Sequence, residues 1–104
     1  MQHDPIISTD THGIWVRTGP TTQYGIRWDE IYAASASRID CITNIEIIVA
    51  LDFDFGEFIE LNSSFRGFDE AITALNSRFT VDPSWLDAVA KSDLNSAPLV
   101  FWRS

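Results

Sequence analysis

The sequence predicts an α+β fold, a curved antiparallel β-sheet arranged as a meander with one or two C-terminal helices packed on one face. Three observations carry this. Residues 44–53 alternate at the strand period of two, with Ile45, Ile47, Val49, Leu51 and Phe53 apolar and Asn44, Glu46 and Asp52 among the even positions. Residues 67–79 switch to helical spacing, with Phe68, Ile72, Leu75 and Phe79 on one side. Strand signals come first and helix signals late, which is the order of an α+β domain rather than of alternating parallel units.

Taken in order, residues 1–12 read as an irregular lead-in to a single domain over 13–104. "GIWVRTG" (13–19) predicts a short strand ended by the turn signal Gly19-Pro20. "YGIRWDEI" (24–31) predicts a second strand with Tyr24, Ile26 and Trp28 on one face. The small residues of "YAASASRID" (32–40) suit an edge or bent strand, and residues 57–65 pair back on the strand at 44–53 as a hairpin. In the helix at 67–79, Asp69 and Glu70 lie in the first turn and Arg78 in the last, as the helix dipole favours. A second helix begins at "VDPSWL": Asp82 caps, Pro83 takes the first helical position, and Val81 can staple onto Leu86. It runs to about Lys91, and "PLVFW" (98–102) predicts a last strand returning to the sheet.

The 104 residues are enough for one core, and 45% hydrophobic against 21% charged residues is globular composition. Seven Phe, four Trp and two Tyr supply its bulk. Cys41 is the single cysteine, so no intrachain disulfide forms, and a lone thiol fits a reducing compartment. The start has no basic region leading into an apolar stretch, and the longest apolar run is "IIVAL" (47–51); the expected location is cytoplasmic, with no membrane contact. Fifteen acids against seven Lys and Arg give a net charge of −8, which repels nucleic acid and steers basic partners inward.

The stretch "LDFDFGEFIEL" (51–61) places four carboxylates among six large apolar side chains. A helix–loop–helix calcium site would need Gly at the sixth position and Glu at the twelfth. Counted from Asp52, those positions hold Glu57 and Ser63, so the pattern fails. A catalytic carboxylate pair needs two acids in unlike surroundings, whereas Asp52 and Asp54 share one strand face. A hairpin explains every letter. Phe53, Ile59 and Leu61 point inward, Asp54-Phe55-Gly56 turns the chain with Gly56 at positive φ, and Glu46, Asp52, Asp54, Glu60 and Phe58 face out. These five form the candidate partner-binding surface.

Other chemistry-bearing residues read as structural. "TDTHG" (9–13) has the Asp-Thr-His start of some metal-dependent hydrolases, but position 14 is Ile and the chain holds only His3 and His12. Cys41, between Asp40 and Ile42, has no orienting partner or oxyanion loop and reads as a small packed hydrophobe. Trp28, Trp85 and Trp102 fall on inward faces, while Trp15 near the first turn is the candidate for exposure. No catalytic residue, metal ligand or cofactor is expected.

The segment "IRWDEI" (26–31), followed by a meander and a late helix, resembles the pattern of small bacterial pleckstrin-homology-like domains. A stronger resemblance is to a group of small, mostly uncharacterised bacterial proteins. They share a Trp-Asp-x-Ile strand, a strand–turn–strand, "GFDE" before a helix and a closing aromatic-Arg tail. The matching residues are Trp28-Asp29-Glu30-Ile31, 45–62, Gly67-Phe68-Asp69-Glu70 and Phe101-Trp102-Arg103. Some proteins of this appearance are suspected immunity proteins, which neutralise a toxin by binding it. The resemblance implies that role and carries no site residues. The basic surface with which pleckstrin-type domains hold phosphoinositides is absent.

The expectation is therefore a non-catalytic acidic binding protein, immunity-type, with a basic protein partner and a monomeric or homodimeric state. The alternatives are a small-ligand-binding or enzymatic domain with a pocket between sheet and helices, using a buried acid such as Asp40 or Asp69, and a module self-associating through Phe58 or Trp15.

Overall fold

A computed structural model of the chain describes residues 5–40, 44–92 and 97–104; His3 and Cys41 lie outside them. The fold is α+β, with two antiparallel sheets and two helices. Strands β1 (Ile6–Thr9), β2 (Gly13–Arg17) and β3 (Gln23–Arg27) form a three-stranded meander in chain order. Strands β4 (Ala33–Asp40), β5 (Ile45–Phe53), β6 (Glu57–Asn62) and β7 (Leu99–Arg103) form a second sheet ordered β6-β5-β4-β7. Helices α1 (Phe68–Phe79) and α2 (Ser84–Ala90) are inserted between β6 and β7.

The periodicities place the core. Val49 and Leu51 of β5, Leu61 of β6 and Ala34 and Ala36 of β4 are buried, joined from the first sheet by Ile7, Ile14, Val16 and Ile26. Phe68, Ala71, Ile72 and Leu75 are the buried side of α1, and Trp85 and Val89 that of α2. No polar or charged residue is buried among the described residues. Aromatic pairs fasten the helices to the sheet. Trp85 stacks on Phe101 at 3.9 Å between centroids, and Phe79 stacks on Trp102 at 4.0 Å. The Trp85 indole also donates to Asn76 Oδ1 at 2.8 Å, tying α2 to α1.

Three expectations are corrected. The lead-in through residue 12 is not irregular throughout: residues 6–9 form β1, whose Ile7 pairs with Val16 and is buried. The second strand stops at Arg27, because Trp28–Glu30 form a 3₁₀ turn in which Glu30 Oε1 accepts the Arg27 N–H at 3.1 Å. A local carboxylate–backbone bond outweighs strand periodicity there. Strand β4 is bent, with a register shift at Ala34/Ser35, but it is interior, paired with β5 on one side and β7 on the other.

The remaining elements form where expected. Asp82 Oδ1 accepts the Ser84 N–H at 2.9 Å at the start of α2, and Val81 and Leu86 both pack against the core. Helix α1 ends on Thr80 at φ 54, where glycine is the usual residue and a β-branched side chain is strained. Thr80→Gly is therefore expected to raise stability by roughly 0.5–1 kcal/mol, read as a higher urea midpoint at unchanged slope.

Candidate functional site

The β5–β6 hairpin is built as its alternation requires. Asp52 lies directly opposite Phe58, and Ala50 opposite Glu60, the next pair on the same face. Asp54 opens the 3₁₀ turn Asp54–Gly56, and Gly56 adopts φ +85. Leu61 is fully buried and Ile59 partly so, whereas Phe58 and Glu60 are exposed. Asp52, Asp54, Phe58 and Glu60 thus gather at the hairpin end. Glu46 does not join them. It lies six residues from Asp52 along β5, about 20 Å at the strand rise, opposite Ile39 and next to exposed Ile45. The outward row between them is Ile48 and Ala50, so the acids occupy the two ends of this face rather than all of it.

Tyr24 adds an aromatic that the sequence pattern placed inward. It sits on β3 and is exposed. Partial burial raises its phenol above the ordinary 10.0, and the nearby Glu60 carboxylate raises it further. Tyr24, from the other sheet, is thus near Glu60, two residues along β6 from Phe58. The signal for it was weak, since Tyr24 falls in step with Ile26 on the strand period.

Elsewhere the polar groups serve the fold. Asp10 holds the β1–β2 turn: one carboxylate oxygen accepts the N–H groups of His12 (2.8 Å) and Gly13 (3.0 Å), and the other accepts the Trp15 indole N–H (3.0 Å). The "TDTHG" segment is therefore a turn motif, and half-buried Trp15 is held by it. The His12 N–H bond first, and then the Trp15 and Gly13 bonds, hold the Asp10 carboxyl below the ordinary 3.8. A lowered folded value means that this support is complete above the unfolded value near pH 3.8 and is lost as pH falls through the folded one. A carboxyl-carbon NMR titration is expected to place the Asp10 midpoint below 3.8; a midpoint at or above it contradicts this turn.

The acids suggested for a pocket, Asp40 and Asp69, are both exposed. Space does exist beside α2. A cavity of about 250 Å³ lies between α2 and β4, and an open groove of about 410 Å³ runs along β7 past Trp85, Phe101 and Trp102. Arg38 lines the first, and its Nη1 donates to the carbonyls of Ala90 (3.2 Å) and Ser92 (2.6 Å), capping the C-terminal end of α2. Its Nε is buried without a hydrogen-bond partner.

Among the described residues no group of three or more His, Cys, Asp and Glu is placed to hold a metal ion. No described helix is long and apolar enough to cross a membrane. Among those residues the one ion pair is Arg27–Asp29 at 3.6 Å, so the hairpin acids carry none. Comparison of the chain with protein-family models, with curated proteins and with solved structures finds no match to any of them.

Proposed function

We propose that this domain is a non-catalytic, immunity-type binding module that takes a basic protein on the end of the β5–β6 hairpin. The observation that carries this is Phe58: it is 53% exposed, lies directly across from Asp52, and is flanked by Glu60 and Asp54. A large apolar ring framed by unpaired carboxylates has the make-up of an interface anchor with a polar rim. The net charge of −8 adds long-range attraction for a cationic surface, such as that of a toxin acting on nucleic acid. The pocket alternative has less support, because neither Asp40 nor Asp69 is buried.

The test is a pull-down from the native host with the wild-type domain and with Phe58→Ala as baits, at low and high salt. The expected result is a basic protein retained at low salt, released at high salt and lost from the variant. Its affinity is expected to fall about tenfold or more for Phe58→Ala, with folding stability unchanged within about 0.5 kcal/mol. Failure to retain any basic protein at low salt defeats the proposal.

A further inference from the structure

The cavity between α2 and β4 is bordered by a polar atom that the fold does not use. Ala36, Ala88, Val89, Pro98 and Leu99 give the cavity apolar walls, and among the described residues Arg38 is the one charged residue lining it. Arg38 Nε is also the one buried side-chain nitrogen or oxygen, among those residues, with no hydrogen-bond partner. Buried donors in native proteins are nearly always satisfied, and a donor on a charged group is the costliest to leave unmet. A lysine or histidine could shed its charge in such a place, but a guanidinium keeps its proton. Nor is the group free to swing away, because the carbonyls of Ala90 (3.2 Å) and Ser92 (2.6 Å) hold Nη1. Those bonds leave Nε–H to an acceptor from outside the fold.

We infer that this cavity binds a small carboxylic acid with an apolar body, whose carboxylate accepts the Arg38 Nε–H. The acceptor is anionic because the donor is a full cation, and no described Asp or Glu lines the cavity to neutralise it. The body is apolar because the walls are. The molecule is small, since about 250 Å³ falls below the roughly 300–1,000 Å³ usual for drug-sized ligands. Two charges work against an anion here. The carbonyl end of α2 is partly negative, and the net charge of −8 repels anions at long range. Arg38 Nη1 already meets the first, and physiological salt screens the second beyond about 8 Å, so the contact with Arg38 decides. In the order β6-β5-β4-β7 this site lies by β4 and β7, whereas Phe58 stands on β6 at the opposite edge. The inference therefore does not rest on the proposed function.

The test is a ¹H–¹⁵N NMR titration of the full chain with benzoate, and with benzamide and acetate as matched probes. Benzoate is expected to saturate at millimolar concentration, moving the Arg38 Nε–H resonance downfield together with the amides of Ala36, Val89 and Leu99. Benzamide keeps the ring without the charge and acetate the charge without the ring, and each is expected to bind about tenfold more weakly. Arg38→Lys is expected to weaken benzoate by a similar factor, because its ammonium is taken up by the α2 carbonyls. Ala88→Leu keeps a good helix former in α2 while filling the cavity, and is expected to abolish the saturable shifts. The three wild-type titrations need no variant to fold. Absence of saturation by benzoate up to about 20 mM, shifts that arise away from the cavity, equal affinity for benzamide, or unchanged benzoate binding in folded Ala88→Leu each overturns the inference.

Discussion

Gly67→Ala is expected to destabilise the domain by about 3 kcal/mol, a large share of the 5–15 kcal/mol that holds a domain of this size together. Two costs combine. Gly67 sits at φ +84 just before α1, a conformation in which any β-carbon is strained. A methyl group there would also collide with the main-chain carbonyl oxygen of Ile7, and backbone cannot swing aside as a side chain can. Ile7 is held by its own bond to the Arg66 carbonyl (2.7 Å), so β1 would have to shift as a unit. Gly56→Ala is the control. Its φ of +85 is nearly the same, but nothing lies within 4 Å of the added carbon, so about 1 kcal/mol is expected. Urea denaturation of both variants checks this, and equal losses would mean that the contact with Ile7 is absent.

Trp28→Ala is expected to cost about 4 kcal/mol, near the upper range for deleting a buried aromatic. The indole is 4% exposed and stands where the two sheets and α1 meet. Its Nε1–H donates to the Asp10 carbonyl at 2.9 Å, and its ring meets Phe79 edge-on at 6.0 Å. The Arg78 guanidinium lies over the ring, 5.8 Å from its centroid. Trp28→Phe separates these contributions: most of the packing remains while the Asp10 carbonyl loses its donor, for a loss of about 1–2 kcal/mol. The measurement is again the denaturation midpoint. A Phe variant as weak as the Ala variant would move the main contribution from the packed ring to the hydrogen bond.

What could be read from residues alone follows from how local each signal is. The alternation of residues 45–53 and the 3.6-residue recurrence of Phe68, Ile72 and Leu75 are long enough to place β5 and α1 within a residue or two. Asp82-Pro83 marks the start of α2 by a chemistry that acts within four residues. Strand β1 was illegible because it is four residues long and is recognised only through its pairing with β2. The alanines and serines of β4 suggested an edge because small side chains pack little area. In the structure their smallness lets α2 and the neighbouring strands come close over an interior strand. Of the candidate site, Asp52, Asp54, Phe58 and Glu60 could be placed together from hairpin register alone. The separation of Glu46 follows from strand rise and needed only the count of residues between. Tyr24 could not be assigned, because its position beside Glu60 depends on how two sheets meet, which no local pattern encodes.

The reciprocal bonds of residues 5–7 with Arg66, Ile7 N–H to the Arg66 carbonyl and Arg66 N–H to the Pro5 carbonyl, bear on how the chain is made. During synthesis β1 leaves the ribosome before its clamp, which follows about sixty residues later, a loop whose closure is slow beside a hairpin's. Until then the nascent meander must carry Ile7, Ile14, Val16 and Ile26 without α1 to cover them. That interval is when the growing polypeptide most needs shielding by a chaperone.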